Sequence, residues 1–417
     1  MARLVVSTFS CIKDATVQLR PVTMLIGPQA SGKSVISKLI YFFYNMLLEE
    51  QFSAVADGKT LREFEASLRT LFKRWFPPVA WGRGKFQISF EAGVFGVVVT
   101  REPSKRAPSD LSFAFSEYFR AQYARLLENV KGRIPVTDIH RITRIRHVAE
   151  NRLRKDLGEN YIGRQLFVPA GRSFFTSAGK AAALFAEANV LDPVTIDFGR
   201  IFTSIRREWP YFVEDTKNAR AGLSLAHELV GGEIKMIRDQ EYVQTRDGRA
   251  IPFAILSSGQ QEILPLYMAV SVFPYMSLRD SARQLVYIEE PEAHLFPSSQ
   301  KRLIEYLASI VKRPGHMVNM LITTHSPYVL ATLNNLMKAG ALAEDFRGAQ
   351  RRIDKIVPRA SWLHPSMVAA YAIHKGHLKR IIGKEGLIDA IYLDEVSATI
   401  SEDFLSLLEI ENLYENA

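Results

Sequence analysis

The chain has 417 residues, 47% hydrophobic and 23% charged, with a formal net charge of +9. A chain of that length and composition buries a full core and room for more than one lobe, as a soluble globular protein does. The single cysteine, Cys11, excludes an internal disulfide and a cysteine zinc cage.

No signal-like pattern opens the sequence, and no uncharged apolar run reaches the ~18 to 20 residues a bilayer requires. A cytoplasmic protein with no membrane span is therefore expected. Cys11 itself reads as a small buried apolar side chain.

Residues 1–45 read as strand, turn, strand, loop, helix. The pieces "RLVVSTF" and "TVQLRPVTMLIG" alternate or run apolar, and "GPQASGKS" breaks them. The helix "SVISKLIYFFYNMLL" is apolar on nearly every face, which predicts burial against a sheet.

Residues 46–165 change character and read as a mainly helical insertion. Its amphipathic stretches are "FSEYFRAQYARLLENV" and "VTDIHRITRIRHVAENRLRKDL", with strand-like pieces near "KFQISFEAGVFGVVVT". From Arg101 to Arg164 there are 14 Lys or Arg against 8 Asp or Glu, so +6 of the net +9 lies here. Such a run is a solvated helical face or a docking surface for a partner or nucleic acid, and its aromatics are not interleaved for base stacking.

Residues 166–255 hold a core strand around "QLFVPAGRSFF", a second helical segment from about 190 to 230, and a hairpin with Asp-Gly at its turn. Residues 256–345 return to buried strands and helices in the order of a parallel sheet, "QLVYIEE", "SQKRLIEYLASIV" and "MVNMLITTH". Residues 346–417 read as a β-hairpin and a terminal helix. The fold class expected is α/β, with a mixed sheet, a parallel core and flanking helices.

The loop Gly27, Pro28, Gln29, Ala30, Ser31, Gly32, Lys33, Ser34, followed by Val35, fits G-x-x-x-x-G-K-[ST] between a strand and a helix. Glycines let backbone N–H groups turn inward around phosphates, and the helix N-terminus adds positive potential. Lys33 is expected to reach the β- and γ-phosphates of ATP, and Ser34 to ligate Mg²⁺.

"LVYIEEPEAHLFP" is a hydrophobic strand ending in two carboxylates. Beside a phosphate loop, one carboxylate holds the metal shell and its neighbour orients or deprotonates the attacking water. Glu289 is assigned to the metal and Glu290 to the water. "LSSGQQE" opens a helix with serine and glycine, and "ITTHSPYVL" puts His325 after a buried strand, where it could sense a γ-phosphate.

In their order, "GPQASGKS", "SSGQQE", "EEPEAHLFP" and "THSPYVL" resemble the ABC-class ATPases, and most closely their prokaryotic AAA-15/AAA-21 branch with SMC, RecF and OLD-type relatives. The resemblance covers about residues 1–45, 165–175 and 235–400. It implies that two heads sandwich two ATP molecules, with Ser257, Ser258, Gly259 and Gln260 capping a helix aimed at the partner's γ-phosphate. Two departures stand out: Ser258 occupies a usual glycine position, and Glu289 a usual aspartate position. For the residue that links nucleotide to the helical lobe, Arg172 is the better candidate and Gln165 the weaker.

The insertion is too short and broken for an SMC-type coiled coil. Asp389, Asp394 and Glu395 lack the arrangement of the nuclease domain that follows OLD-type ATPases. By resemblance to PARIS-like and Septu-like ATPases, the chain is expected to be a homodimer or higher homo-oligomer in anti-phage defence. There it would control a separate effector, a nuclease or toxin; the alternative is a RecF-like DNA-repair ATPase using the basic insertion. DNA or another nucleic acid stays open as a partner.

Overall fold

The strand signals at the amino terminus become β1 (Arg3–Phe9), β2 (Ile12–Gln18) and β3 (Val22–Ile26), followed by helix α1 (Lys33–Asn45). These coordinates are a computed structural model describing residues 1–102, 110–131, 139–178, 191–215, 228–237, 240–276, 282–313 and 315–389. The expected terminal helix, with Asp394 and Glu395, and part of the second helical segment lie outside them.

β3 belongs to an all-parallel group with β7 (Arg164–Val168), β11 (Gln284–Glu289), β12 (Val318–Thr324) and β13 (Val368–His374), ordered β13, β3, β12, β11, β7. The register aligns Ile26 with Thr324, Glu289 with Thr323, and Ile288 with Val168. All five strands therefore end at one edge, where ligands of parallel sheets bind.

Alternation along these strands feeds two cores. On β3, Val22, Met24 and Ile26 face one way and Leu25 the other; on β11, Val286 and Ile288 oppose Leu285 and Tyr287. Helices α8 (Ser258–Val272), α9 (Pro297–Val311) and α10 (Pro327–Asp345) cover the first face, and α1 covers the second.

The all-round hydrophobicity of α1 has a physical explanation in what covers its outer side. Phe42 meets Phe72 and Trp75 of helix α3 (Leu61–Trp75), and Phe43 stacks on Phe90. Thr60 starts α3 with a capping box, its hydroxyl accepting from the Glu63 N–H while the Glu63 carboxylate accepts from the Thr60 N–H.

The strand-like pieces of the 46–165 segment do not stand apart. β4 (Phe86–Ala92), β5 (Phe95–Arg101) and β6 (Ser112–Phe115) continue the main sheet, because β4 pairs antiparallel with β1, Val6 opposite Ile88. This extension covers the free edge of β1, which would otherwise expose a row of unpaired backbone groups. β14 (His377–Arg380) joins the two halves, antiparallel to β13 and parallel to β2.

Cys11 is a correction to the sequence reading: it is exposed. It lies in the two-residue turn between β1 and β2, where Phe9 faces Ile12 and Ser10 takes a positive φ of 55°. A tight hairpin tip projects its side chains outward, so a small apolar residue there finds no core to enter. Among the described residues no helix is long and apolar enough to cross a membrane.

Candidate functional site

The phosphate loop is built around two glycines that no other residue could replace. A Cβ on Gly27 would lie 2.6 Å from the Ile373 carbonyl oxygen. Gly32 holds φ at 107°, and a Cβ there would lie 2.9 Å from Ile12 Cγ1 and 3.0 Å from Cys11 Sγ. Strand β13 and the β1–β2 turn thus wall the loop, which leaves its backbone N–H groups at the mouth of α1 with no acidic residue in the first turn.

Lys33 folds over this loop. Its buried ammonium donates to the carbonyl oxygens of Gly27 at 2.6 Å and Pro28 at 2.9 Å. Burial lowers the Lys33 pKa, and Glu290, Glu292 and Glu289 act in the opposite direction, so three carboxylates lie close enough for the ammonium to feel. Pro28, Gln29, Ala30 and Ser34 are exposed on the loop, with Ala30 at φ 58°, while Ser31 and Val35 are half-buried.

The two carboxylates ending β11 part company. Glu289 is 7% exposed; one carboxylate oxygen accepts a long bond from the Ala170 N–H at 3.4 Å, and the other is buried without a hydrogen-bond partner. Such an orphaned acceptor is costly unless a cation completes it. Glu290 takes a left-handed backbone, φ 45°, and its side chain is half-buried with Oε1 3.6 Å from His325 Nδ1. A strained non-glycine residue of this kind persists only where its surroundings hold it.

Arg172 does much of the holding. The guanidinium is fully buried and donates to four backbone carbonyls: Glu262 at 2.9 Å, Glu289 at 2.7 Å, Glu290 at 3.1 Å and Pro169 at 3.3 Å. It therefore ties the end of β11 to helix α8. Burial lowers its pKa, opposed first by Glu262, whose Oε2 lies 3.4 Å from Nε. Gln165 instead bonds the Tyr41 carbonyl and the Tyr287 hydroxyl at the other end of β7, and has no part in this junction.

Arg172→Ala is expected to destabilise the chain by about 3–5 kcal/mol, since it leaves buried carbonyls and Glu262 without their cation. Arg172→Lys should recover part of this, because an ammonium carries three donors and cannot fork across two strands. Thermal unfolding of the three proteins checks the order; equal stabilities would show that the clamp is dispensable.

The α8 entrance is exposed at Ser257 and Ser258. Gln260 fixes it: its side-chain carbonyl accepts from the Ser257 N–H at 3.0 Å and hydroxyl at 2.8 Å, and its amide donates to the Val230 carbonyl at 2.7 Å. Gly259 packs so closely that a Cβ would lie 2.8 Å from the His294 carbonyl oxygen. The structure thus brings Lys33, Glu289, Glu290 and His325 to one edge and joins the α8 entrance to the loop after β11.

Sequence reasoning missed Glu292. It is buried, accepts from the Thr324 hydroxyl at 2.6 Å and the His325 N–H at 2.9 Å, and lies 3.6 Å from His325 Nδ1. The available signal was a third carboxylate within "EEPEAH".

Phosphate loop, strand-end carboxylates and parallel sheet together define a P-loop ATPase head. Residues 215–330 match the model of the AAA ATPase domain family AAA_15, a span that holds the α8 entrance, the β11 carboxylates and His325 but not the phosphate loop. No curated protein matches the chain.

Among solved structures it is similar to an SMC head bound to the C-winged helix domain of ScpA, at 12% identity and TM-score 0.41, covering 91% of this chain and 96% of that one. It is also similar to the SMC head domain from Thermotoga maritima, at 12% identity and TM-score 0.36, with 91% and 97% covered. A third is the SMC head with an extended coiled coil bound to the C-terminal domain of ScpA derived from Pyrococcus furiosus, at 12% identity and TM-score 0.38, with 96% and 100% covered.

The residues fit ATP and Mg²⁺. A loop bracketed by Gly27 and Gly32 suits a polyphosphate, and the unpartnered Glu289 Oε1, with Glu292 Oε2 likewise unpartnered, suits a cation at this edge. Among the described residues no cluster of three or more His, Cys, Asp or Glu could hold a metal alone. An ion here would be held by Ser34 and Glu289 together with phosphate oxygens, the usual arrangement for Mg²⁺.

Proposed function

We propose that the chain is an ATP-hydrolysing ABC-class head that dimerises around ATP and regulates a separate effector in anti-phage defence. The observation that carries the hydrolytic part is the pairing at the β11 end. Glu289 is buried with an uncommitted oxygen, and Glu290 is half-buried beside His325. In this reading Glu289 and Ser34 hold Mg²⁺, Lys33 neutralises phosphate charge, and Glu290 orients the attacking water.

Dimerisation around ATP is supported by what surrounds the same edge. Ile255, Phe296 and Tyr328 are 72%, 76% and 52% exposed, next to the α8 entrance, the loop after β11 and the loop after β12. Three large apolar side chains beside nucleotide loops suit a second copy better than water. The exposed Ser257 and Ser258 would then face that copy's γ-phosphate.

The defence role rests on the resemblance of the four motifs to ATPases of such systems. The repair reading gains less from the structure. Of the basic residues in the 46–165 segment, Arg146 is bridged to Glu49 and Glu150, and Arg152 to Asp156, which spends charge internally.

The test is to measure Mg²⁺-dependent ATP turnover and size by light scattering, with and without ATP, and then to identify what co-purifies from cells carrying the native gene neighbourhood. Turnover, an ATP-dependent doubling of mass and a stoichiometric protein partner are expected. Salt-sensitive DNA with no protein partner would favour repair, and absence of ATP binding would overturn the reading altogether.

A further inference from the structure

We propose that Glu292 is a positioning residue that fixes the His325 segment as a hydrogen-bond acceptor. The inference rests on the ATPase reading above and deepens it.

Glu292 differs from its two neighbours in the motif by what its Oε1 holds, while its Oε2, like one oxygen of Glu289, is buried without a hydrogen-bond partner. Its Oε1 takes both the Thr324 hydroxyl and the His325 backbone N–H, at 2.6 and 2.9 Å, in a side chain 4% exposed. These are short charge-assisted bonds to adjacent residues of one turn, so they fix the direction in which that turn leaves β12. The 3.6 Å to His325 Nδ1 is too long for a hydrogen bond, so Glu292 holds the backbone and leaves the imidazole to move.

A second tie closes a ring around the same turn. The Ser326 N–H donates to Thr324 Oγ1 at 3.0 Å, and Ser326 Oγ donates to Gln300 Oε1 at 2.6 Å. The Gln300 amide donates back to the Leu295 carbonyl at 2.9 Å, in the loop that began at Glu292. The loop after β11 and the loop after β12 are therefore bound at two points, and the Gly259 contact at His294 adds the α8 entrance to the same unit. A shift of His325 on loss of a phosphate would carry this unit as one body.

The roles separate by substitution. Glu292→Gln keeps the carbonyl oxygen that accepts both bonds and removes the charge; Glu292→Ala removes the acceptor. ATP turnover by full-length wild type, Glu292→Gln, Glu292→Ala, His325→Ala, Glu292→Ala with His325→Ala, and Glu290→Gln decides the matter.

Glu292→Ala should lower kcat roughly ten- to a hundredfold with KM little changed, the worth of charge-assisted bonds felt during hydrolysis. Glu292→Gln should keep most of the activity, and the double variant should be no slower than His325→Ala, since the two act as one unit. If Glu292→Ala does not fold, Thr324→Val removes one of the two donors and should lower kcat in the same direction.

A Glu292→Gln protein as inactive as Glu290→Gln would overturn the proposal, because charge and not acceptance would then matter. So would an unimpaired Glu292→Ala, or losses that multiply in the double variant. A wild type that neither binds nor hydrolyses ATP overturns the ATPase reading instead, before any Glu292 variant is compared.

Discussion

Replacing Lys33 by alanine is expected to lower ATP turnover on the order of a hundredfold or more, the scale for losing one preorganised charge aimed at the transition state. The ammonium is held at the loop by two carbonyls, 2.6 and 2.9 Å away, and is faced by Glu290, Glu292 and Glu289. A triphosphate entering the loop offers it stronger acceptors at no cost in reach. Without it, the loop still presents its N–H groups, so weakened binding is expected to accompany the loss of rate.

Lys33→Arg is the informative control. Guanidinium keeps the charge, but a planar fork cannot take the place of a compact ammonium between Gly27 and Pro28. It should resemble Lys33→Ala far more than wild type. Unchanged turnover in Lys33→Ala, with thermal unfolding also unchanged, would remove the phosphate loop from the mechanism.

The features legible in the sequence are those whose chemistry is local. Gly27 and Gly32 announce themselves because backbone approach and a φ of 107° demand glycine within one loop. Glu289 and Glu290 were readable because a buried strand rarely ends in two carboxylates, and the α8 entrance because serine and glycine start helices. The burial of α1 followed from its composition alone.

What was not legible depends on residues far apart in the chain. Arg172 reaches Glu262, Glu289 and Glu290 across 90, 117 and 118 positions, and nothing within "FVPAGRSF" encodes that its guanidinium points inward at carbonyls. The strands near "KFQISFEAGVFGVVVT" could be seen, but not that β4 would cover the edge of β1. Cys11 was misplaced because composition favours a buried thiol, whereas the two-residue turn between Phe9 and Ile12 puts it at a tip.

Glu290→Gln is expected to slow hydrolysis roughly 10²- to 10⁴-fold, the range for removing a general base, while leaving ATP binding intact. The substitution is nearly isosteric, and the backbone of Glu290 is fixed independently of its side chain. Its N–H donates to the Thr323 carbonyl at 2.9 Å, and its own carbonyl accepts from Arg172 at 3.1 Å. The left-handed φ of 45° therefore persists in the variant, and the fold should melt within a degree or two of wild type.

Because binding survives and turnover does not, an ATP-bound assembly should accumulate. Light scattering with ATP and Mg²⁺ should then show twice the monomer mass in Glu290→Gln, where wild type relaxes as nucleotide is consumed. A variant that hydrolyses at the wild-type rate would mean that water is activated elsewhere, and the neighbouring His325 would be the group to test. A variant that binds ATP, fails to hydrolyse it and stays monomeric would keep Glu290 as the base but remove the sandwich. In that case Ile255, Phe296 and Tyr328 would have to meet a partner other than a second copy.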